Sequence, residues 1–216
     1  MAASLSSPAD IVNAALAELK YPLRVGDLYD GTPAAKKALD IYGQARDALL
    51  RSDDWGFPRG DIVLALLKQA PPGGYVPGVS DWNSANNPPM PYLYEYAYPS
   101  DCLMLRAIQP PAIFIPNFIL RPYVFEIGND NVPVTGQQSA PGRVIFCYCA
   151  SAVGTYVRQV TDMTQWDVGF VDAFVAEVKR RIGPAIAEMS QGMAEAEKLD
   201  VAVEQATLQR AVGRQG

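Results

Sequence analysis

Histidine is missing from all 216 residues of the sequence. Its absence excludes Ser-His-Asp and Cys-His nucleophile systems, most catalytic zinc sites and any histidine-based pH switch. A glycine-rich phosphate-binding loop and a Cys or His metal-ligand spacing are missing as well. The sequence therefore predicts no catalytic residues, no metal and no cofactor.

Cysteine and positive charge are also scarce. The three cysteines, Cys102, Cys147 and Cys149, are an odd number without a disulfide framework, which favours reduced core residues in a protein assembled in the cytoplasm. The net charge is -5 and the pI is about 4.8, so a basic face that grips phosphate backbones is not expected. The longest apolar run, residues 62–67, is far too short to span a membrane, and residues 1–8 carry no secretory signal.

The strongest pattern that is present lies in residues 160–211. Asp167 stands at an N-cap position, and apolar residues recur after it at helical spacing. Gln191 and Gly192 end this pattern, and residues 194–211 predict a fourth helix whose thin stripe of small side chains suits a partner surface. The apolar residues between Asp167 and Gln191 form a longer stripe, which predicts an amphipathic helix packed in the core. Its members are Phe170, Val171, Phe174, Val178, Ile182, Ile186 and Met189.

Two further helices are predicted near the N-terminus. Ser7 followed by Pro8 and Asp10 forms a start that resembles a capping box, and Thr32 followed by Pro33 forms a second helix start. Apolar residues at helical spacing follow each start. We expect helices one and two to be antiparallel and to pack against the C-terminal helix.

The middle of the chain is richer in strand and loop patterns. Residues 62–67 predict a short strand, and the alternating tyrosines from Tyr92 to Tyr98 predict a strand with one aromatic face. Two strands that flank residues 128–131 predict a hairpin. Residues 70–91 are rich in proline and glycine and predict a long loop.

These patterns together predict an α+β, mainly α fold. Its expected architecture is an antiparallel helical bundle of three to four helices with a β-rich insertion between helices two and three. Residues 1–58 would form helices one and two, residues 59–159 the β-rich insertion with long Pro/Gly loops, and residues 160–216 the C-terminal helices that complete the bundle and a partner-facing tail. A chain of 216 residues fits one compact domain that carries such an insertion.

Three segments resemble the head-to-tail adaptors of short-tailed bacteriophages, and in particular those related to tail tubular protein A. The first is residues 9–16 together with the helix through residues 46–52 into residues 55–57 (Trp-Gly-Phe), where the family has a Trp-Asn-Phe-like corner and the glycine is a departure. The second, residues 96–103, resembles the family's Tyr-x-x-Pro-x-Asp-Cys junction between two strands. The third, residues 160–174, resembles the start of the family's third helix.

The resemblance implies a structural protein of the virion, located at the head–tail junction after assembly in the host cytoplasm. It implies a homo-oligomeric ring, expected to be a dodecamer, that binds the portal protein and the tail nozzle protein, with tail fibres as a further candidate partner. Double-stranded DNA would pass through the axial channel without specific binding. The negative net charge is compatible with such a channel, because tight binding would impede DNA passage.

Candidate interface residues come from the aromatic corner, the proline-rich loops and the C-terminal tail. The corner at residues 52–58 reads either as an aromatic lid on a core or as a partner-binding patch. Residues 71–91 and 110–122 are expected to face neighbouring subunits or the nozzle, and residues 195–216 to reach the portal. The eight candidates are Trp55, Phe57, Trp82, Tyr92, Leu199, Val203, Arg210 and Arg214.

Two other functions remain open on the sequence alone. A tail-associated cell-wall glycosidase would use paired carboxylates, with Asp53, Glu95 and Asp101 as the candidates. A cytoplasmic binding domain without catalysis would be a monomer at any concentration and would have no affinity for a portal ring.

Overall fold

The computed structural model describes residues 6–72, 87–111, 122–132 and 140–212 of the chain. Within the last of these ranges, the side chains of residues 196, 197 and 199–212 lie outside the description. The chain divides into two compact units, a helical unit formed by residues 1–52 and 162–216 and a β unit formed by residues 53–161.

The described elements are three α-helices, one short 3-10 turn and seven strands. The helices are α1 Pro8–Glu18, α2 Pro33–Ser52 and α3 Val168–Val212, with the 3-10 turn at Met163–Gln165. The strands are β1 Arg59–Val63, β2 Leu66–Gln69, β3 Tyr94–Ala97, β4 Cys102–Gln109, β5 Phe125–Val132, β6 Ala140–Cys147 and β7 Val153–Arg158.

The predicted helix starts are confirmed at all three positions. Ser7 accepts from the backbone N–H of Asp10, and the Asp10 carboxylate accepts from the Ser7 N–H, so the capping box is complete. The Thr32 hydroxyl accepts from the Ala35 N–H at 3.2 Å. The Asp167 carboxylate accepts from the Phe170 N–H at 2.7 Å. Each cap satisfies a backbone donor that the first turn of a helix leaves free.

The core of the helical unit lies along the predicted stripe of α3. Phe170 and Phe174 are both 0% exposed, and their rings stack with centroids 5.9 Å apart. Trp166 and Tyr42 meet Phe174 edge to face at 5.5 Å and 5.0 Å. The predicted burial of the stripe is confirmed for most of its residues. Helices α1 and α2 contribute further buried residues to this core, including Ile11, Leu16, Ala38 and Leu50.

The predicted break at Gln191 and Gly192 is wrong. One helix, α3, runs without interruption through Pro184 and Gly192 to Val212. A single glycine in a helix lowers stability by only about 1 kcal/mol, so the residues on either side can carry the helix through it. There is accordingly no separate fourth helix in the described residues.

The β unit consists of two antiparallel sheets. Sheet A has the strand order β1-β7-β4, and sheet B has the order β2-β3-β6-β5. The two sheets pack through an apolar core in which Tyr96 and Ile145 of sheet B meet Leu105, Ile108 and Tyr156 of sheet A. The predicted aromatic face is confirmed for part of its length, because Tyr94 and Tyr98 pack against this same core.

The predicted fold class, a mainly α antiparallel helical bundle with a β-rich insertion, is wrong. The described residues hold seven strands in two antiparallel sheets beside three helices, and the sheets enclose an apolar core of their own. Local sequence patterns underestimate the amount of β structure for a physical reason. Helix caps and stripes depend on residues three or four apart, whereas strand pairing depends on residues far apart in the chain.

Two strand boundaries also differ from prediction. The apolar run at residues 62–67 forms no single strand, since Leu64 and Ala65 separate β1 from β2 and the two strands belong to different sheets. The predicted turn at residues 128–131 lies inside β5, which stays paired with β6 from Phe125 to Val132. The Gly-Asn-Asp-Asn sequence favours a turn locally, but a ladder of eight pairs outweighs that preference.

Gly128 carries a specific packing role in this long strand. A Cβ atom at Gly128 would lie 3.2 Å from Cζ of Phe146 and closer still to its Cε2, because the Phe146 ring covers the glycine. We expect Gly128→Ala to lower the free energy of unfolding by about 1–3 kcal/mol, the usual effect of overpacking. Gly43→Ala in α2 is the control: nothing lies within 4 Å of its added Cβ, so we expect a gain of about 0.5–1 kcal/mol. Urea unfolding measures both, and equal shifts for the two variants would contradict this role.

Candidate functional site

The eight candidate interface residues are only partly visible in the structure. Trp82 and Arg214 lie outside the described residues. Leu199, Val203 and Arg210 lie within α3, where the structure describes their backbone but not their side chains. The remaining three, Trp55, Phe57 and Tyr92, have described side chains and all belong to the β unit.

Trp55 lines a cleft on sheet A that we call the arginine cleft. It has a volume of about 290 Å³, and its polar lining includes Asp54, Arg59, Arg106, Gln109 and Thr155. A volume of this size is at the small end of ligand pockets, which suits one side chain or a short segment better than a large cofactor.

The two arginines come from the two edge strands of sheet A. Arg59 begins β1 and lies opposite Val157 of β7, and Arg106 lies in β4 on the other side of β7. The pairing of β4 with β7 shifts between Leu105 and Ala107, so Arg106 is the extra residue of a bulge. Bulges of this kind re-aim a side chain, and here the result is a second guanidinium in the cleft.

The arginine side chains differ in how firmly they are held. Arg106 donates to the backbone carbonyl of Asp53 at 2.8 Å. The Arg59 side chain is 63% exposed, and its Nε lies 4.0 Å from Asp61 Oδ2, which is the outer limit of an ion pair. An exposed pair at this distance contributes little to stability. The Arg59 guanidinium can therefore turn toward an incoming anion.

Phe57 and Tyr92 make contacts inside the β unit. The Phe57 carbonyl accepts from the Arg158 guanidinium at 3.3 Å. The Tyr92 hydroxyl donates to Glu126 at 2.6 Å, and this hydrogen bond raises the pKa of Tyr92. Tyr92 also packs on Phe146 and on Tyr148 with ring centroids 5.8 Å and 5.4 Å away. Tyr92 thus stands two residues before β3 begins and lies on the face of sheet B opposite to the other tyrosines.

The second polar feature of the β unit is a buried cluster on sheet B, formed by Lys68, Glu95 and Asp130. Glu95 is 0% exposed and is the one fully buried charged residue among those described. Lys68 Nζ contacts Asp130 Oδ2 and lies 3.6 Å from Glu95 Oε2. The Glu95 distance is beyond hydrogen-bond range, and both of its carboxyl oxygens lack a hydrogen-bond partner.

This cluster shows that sheet B is strongly coiled. Lys68 lies in β2 and Asp130 in β5, which are the two edge strands with β3 and β6 between them. A flat sheet would hold these edges about 14 Å apart, farther than the two side chains reach. The sheet must coil so that its corners approach across the face that carries Glu95. This concave face explains why a residue outside the intersheet core is nevertheless fully buried.

Burial and the shared lysine shift the pKa values of the two acids in opposite directions. Burial raises the pKa of Glu95, Lys68 opposes the shift, and Asp130 adds to it. Partial burial is the largest single influence on Asp130 and acts to raise its pKa, but the hydrogen bonds from Lys68 and from the Asn131 N–H, together with the charge of Lys68, hold the pKa below its usual value. The two acids therefore divide their roles, since Asp130 holds the lysine as a carboxylate while Glu95 resists ionisation.

These shifts predict how Glu95 affects stability as pH changes. A carboxyl group with a raised pKa binds its proton more tightly in the folded state, so its contribution falls as pH rises from 4.5 through the folded pKa. We expect Glu95→Gln to gain stability relative to the native protein across this window and then to level off. Denaturant unfolding at stepped pH measures the difference, with the exposed Glu188→Gln as control. A difference that does not change with pH would contradict the prediction.

The three carboxylates considered for glycoside hydrolysis each have a different partner. Glu95 faces Lys68, Asp101 accepts from the Tyr156 hydroxyl at 3.1 Å, and the Asp53 carboxylate accepts from the Asp54 N–H at 2.8 Å. A glycosidase needs two carboxyl groups flanking a cleft that a sugar can enter. Because Glu95 is fully buried, a sugar cannot reach it in this conformation.

The part of the chain that the structure describes contains no group of three or more Cys, Asp or Glu side chains able to hold a metal ion. Cys102, Cys147 and Cys149 are free and buried, and burial raises the pKa of each thiol. None of the described helices combines the length and apolarity needed to cross a bilayer.

The sequence did not point to Lys68, Asp130, Arg59 or Arg106. Strict alternation around Glu95 predicts that one face of its strand is apolar and the other is exposed. The second face is instead covered, so no local pattern could reveal the burial of Glu95. The cleft likewise depends on a bulge, which only the pairing of β4 with β7 defines.

Comparisons with known proteins give no further assignment. No family model matches the sequence, and the curated proteins include no significant match.

Proposed function

We propose that this chain is a structural head-to-tail adaptor of a phage virion. It would form a ring that joins the portal to the tail nozzle and leaves a channel for DNA passage. The proposal rests on three sequence segments that resemble such adaptors in the same order along the chain. Their positions in the fold support it: residues 96–103 span the junction of β3 with β4, and residues 160–174 lead into α3.

The length of α3 is the structural observation that carries the proposal. Among the described side chains, Ile186 is the last buried one on this helix, and Met193 is 43% exposed. The helix continues from Ile186 to Val212, which is about 39 Å at 1.5 Å per residue. Helices in proteins owe most of their stability to the packing of one face rather than to intrinsic propensity. Its C-terminal half therefore suits attachment to another protein, and in this proposal that protein is the portal.

Removing residues 194–216 tests the attachment. We expect the shortened chain to lose at least about tenfold in affinity for portal-bearing capsids, because the deleted segment would supply most of the contact. Its free energy of unfolding should change by less than about 1 kcal/mol, since the deletion begins beyond the buried stripe of α3. Cosedimentation with capsids measures attachment, and urea unfolding measures stability.

Two results would reject the proposal. One is attachment by the shortened chain at full strength, which would show that the C-terminal segment does not supply the contact; attachment by an unrelated acidic protein as well would show non-specific capture. The other is a full-length chain that fails to bind portal-bearing capsids at all. A matched control is Met193→Ala in the full chain, which trims the exposed side chain and keeps the helix.

A further inference from the structure

Two exposed features of the chain carry charged side chains of opposite sign. One is the arginine cleft of the β unit. The other is a β-turn of the helical unit, residues 27–30, which we call the acidic turn. We propose that the acidic turn of one copy docks in the arginine cleft of a second copy. This inference deepens the proposed ring and rests on it, because it names the contact between neighbouring subunits.

The acidic turn is closed by local hydrogen bonds and presents one aromatic side chain. The Asp30 N–H donates to the Asp27 carbonyl at 3.2 Å and closes the turn. The Asp27 carboxylate accepts from the Tyr29 N–H at 2.9 Å, and Leu28 anchors the turn with 8% exposure. Tyr29 is 81% exposed and is the most exposed large hydrophobic side chain among those described. A preformed turn loses little conformational freedom on binding.

The charges of the turn match those of the cleft. Asp27 and Asp30 occupy the first and last positions of a β-turn, so their Cα atoms lie within about 7 Å of each other. Arg59 and Arg106 lie on strands separated by β7, which places their backbones about 10 Å apart. Arginine side chains are long enough to close the remaining gap. The Asp30 carboxylate already accepts from Thr32 and from the Gly26 N–H, and the Asp27 carboxylate accepts from the Tyr29 N–H. Each arginine would therefore meet one aspartate through the lone pairs that these local hydrogen bonds leave.

The aromatic groups match as well. With the two aspartates held by the arginines, the exposed Tyr29 ring would enter the cleft, whose wall includes Trp55. Aromatic pairs of this kind contribute beyond the area that they bury. Asp54 lines the same cleft and offers an acceptor for the Tyr29 hydroxyl. The cleft of about 290 Å³ is suited to one such side chain.

The contact joins two different surfaces of the same chain. When the contact runs in one direction only it is heterologous, and each copy then retains a free turn and a free cleft. Such contacts repeat from copy to copy and close into a ring when the rotation allows it.

Single substitutions on each side provide the first test. We expect Tyr29→Ser and Arg59→Glu each to raise the dissociation constant for self-association of the full chain by at least about tenfold. Leu23→Ser and Arg51→Glu are the matched controls, because both replace exposed side chains outside the two surfaces. Sedimentation velocity over a range of concentrations measures association, and thermal unfolding confirms that each variant is folded.

A mixing experiment provides the second test. The Tyr29→Ser copy keeps an intact cleft and the Arg59→Glu copy keeps an intact turn, so an equimolar mixture should form one-to-one dimers and nothing larger. Native mass spectrometry with one copy isotopically labelled counts each species. The inference is overturned if the native chain stays monomeric at all concentrations, if either variant assembles as the native chain does, or if the mixture forms large assemblies.

These outcomes are separable from failure of the proposed function. A chain that binds portal-bearing capsids but never self-associates through the turn and cleft retains its function and loses this inference. A chain that assembles through them but never binds a portal keeps the contact and loses the function. Binding of a short acidic peptide or a DNA oligonucleotide to the cleft of a chain that stays monomeric would overturn the inference and assign the cleft to another ligand.

Discussion

Replacing Lys68 with methionine is expected to lower the free energy of unfolding by about 3 kcal/mol at neutral pH. Lys68 is the cation shared by Asp130 and the fully buried Glu95. Methionine keeps most of the side-chain volume but leaves two carboxyl groups without their counterion. Breaking a buried ion pair by removing one partner destabilises a protein strongly, because the other charge stays desolvated. Guanidinium unfolding with intrinsic fluorescence measures the change.

A double-mutant cycle isolates the part of this effect that comes from Glu95. In the Glu95→Gln background, Lys68→Met should destabilise the protein less, since glutamine carries no charge and its amide can donate to Asp130. The effect of Lys68→Met should also grow as pH rises through the folded pKa of Glu95, which burial raises. Equal effects of Lys68→Met in both backgrounds would show that the lysine does not act on Glu95.

Replacing Phe174 with alanine is expected to lower the free energy of unfolding by about 3–5 kcal/mol. Phe174 is 0% exposed and contacts three other aromatic rings, those of Tyr42, Trp166 and Phe170. The substitution removes the buried ring and leaves a cavity in the helical unit. It also removes edge-to-face contacts that contribute about 0.5–1.5 kcal/mol each. Urea unfolding followed by circular dichroism measures the loss of helix.

The same helix offers a matched control for Phe174. Val168 lies at the start of α3 and is 77% exposed, so Val168→Ala should change stability by less than about 0.5 kcal/mol. Tyr42→Phe tests the hydroxyl separately from the ring. Burial raises the pKa of Tyr42 to about 12, so the phenol stays protonated at neutral pH. The ring of Tyr42 packs edge to face on Phe174 and is kept in this variant. Equal effects of Phe174→Ala and Val168→Ala would contradict the arrangement of this core.

The arginine cleft and the buried cluster lie on different sheets and suit different tasks. The cleft is open, and its Arg59 side chain is 63% exposed and weakly held. The cluster is mostly buried, and Lys68 already forms an ion pair with Asp130 at the opposite edge of sheet B. We therefore expect substitutions in the cleft to affect association while leaving stability nearly unchanged. Substitutions in the cluster should lower stability while leaving association nearly unchanged.

Part of the candidate site was predictable from the sequence. The corner at residues 52–58 combines aromatic residues with Gly and Pro, and that composition was enough to single out Trp55 as a candidate interface residue. The two arginines were not predictable, because neither is part of a basic run. They come together only when β7 pairs with β1 on one side and β4 on the other.

The sequence by itself determined the helix starts and the buried stripe of α3. The Ser7, Thr32 and Asp167 caps each bind an N–H three residues further along the chain. The stripe repeats every three or four residues. Such relations are fixed by local backbone geometry and need no knowledge of the rest of the fold.

Only the tertiary structure decided the β unit and its two polar features. Glu95 is buried because sheet B coils over it, and its neighbours Lys68 and Asp130 lie 62 residues apart in the chain. The continuity of α3 through Gly192 was decided by the rest of the helix, against a local preference for an end. Strand pairing, sheet coiling and helix continuation each sum many weak interactions between distant or successive residues. No short stretch of sequence contains that sum.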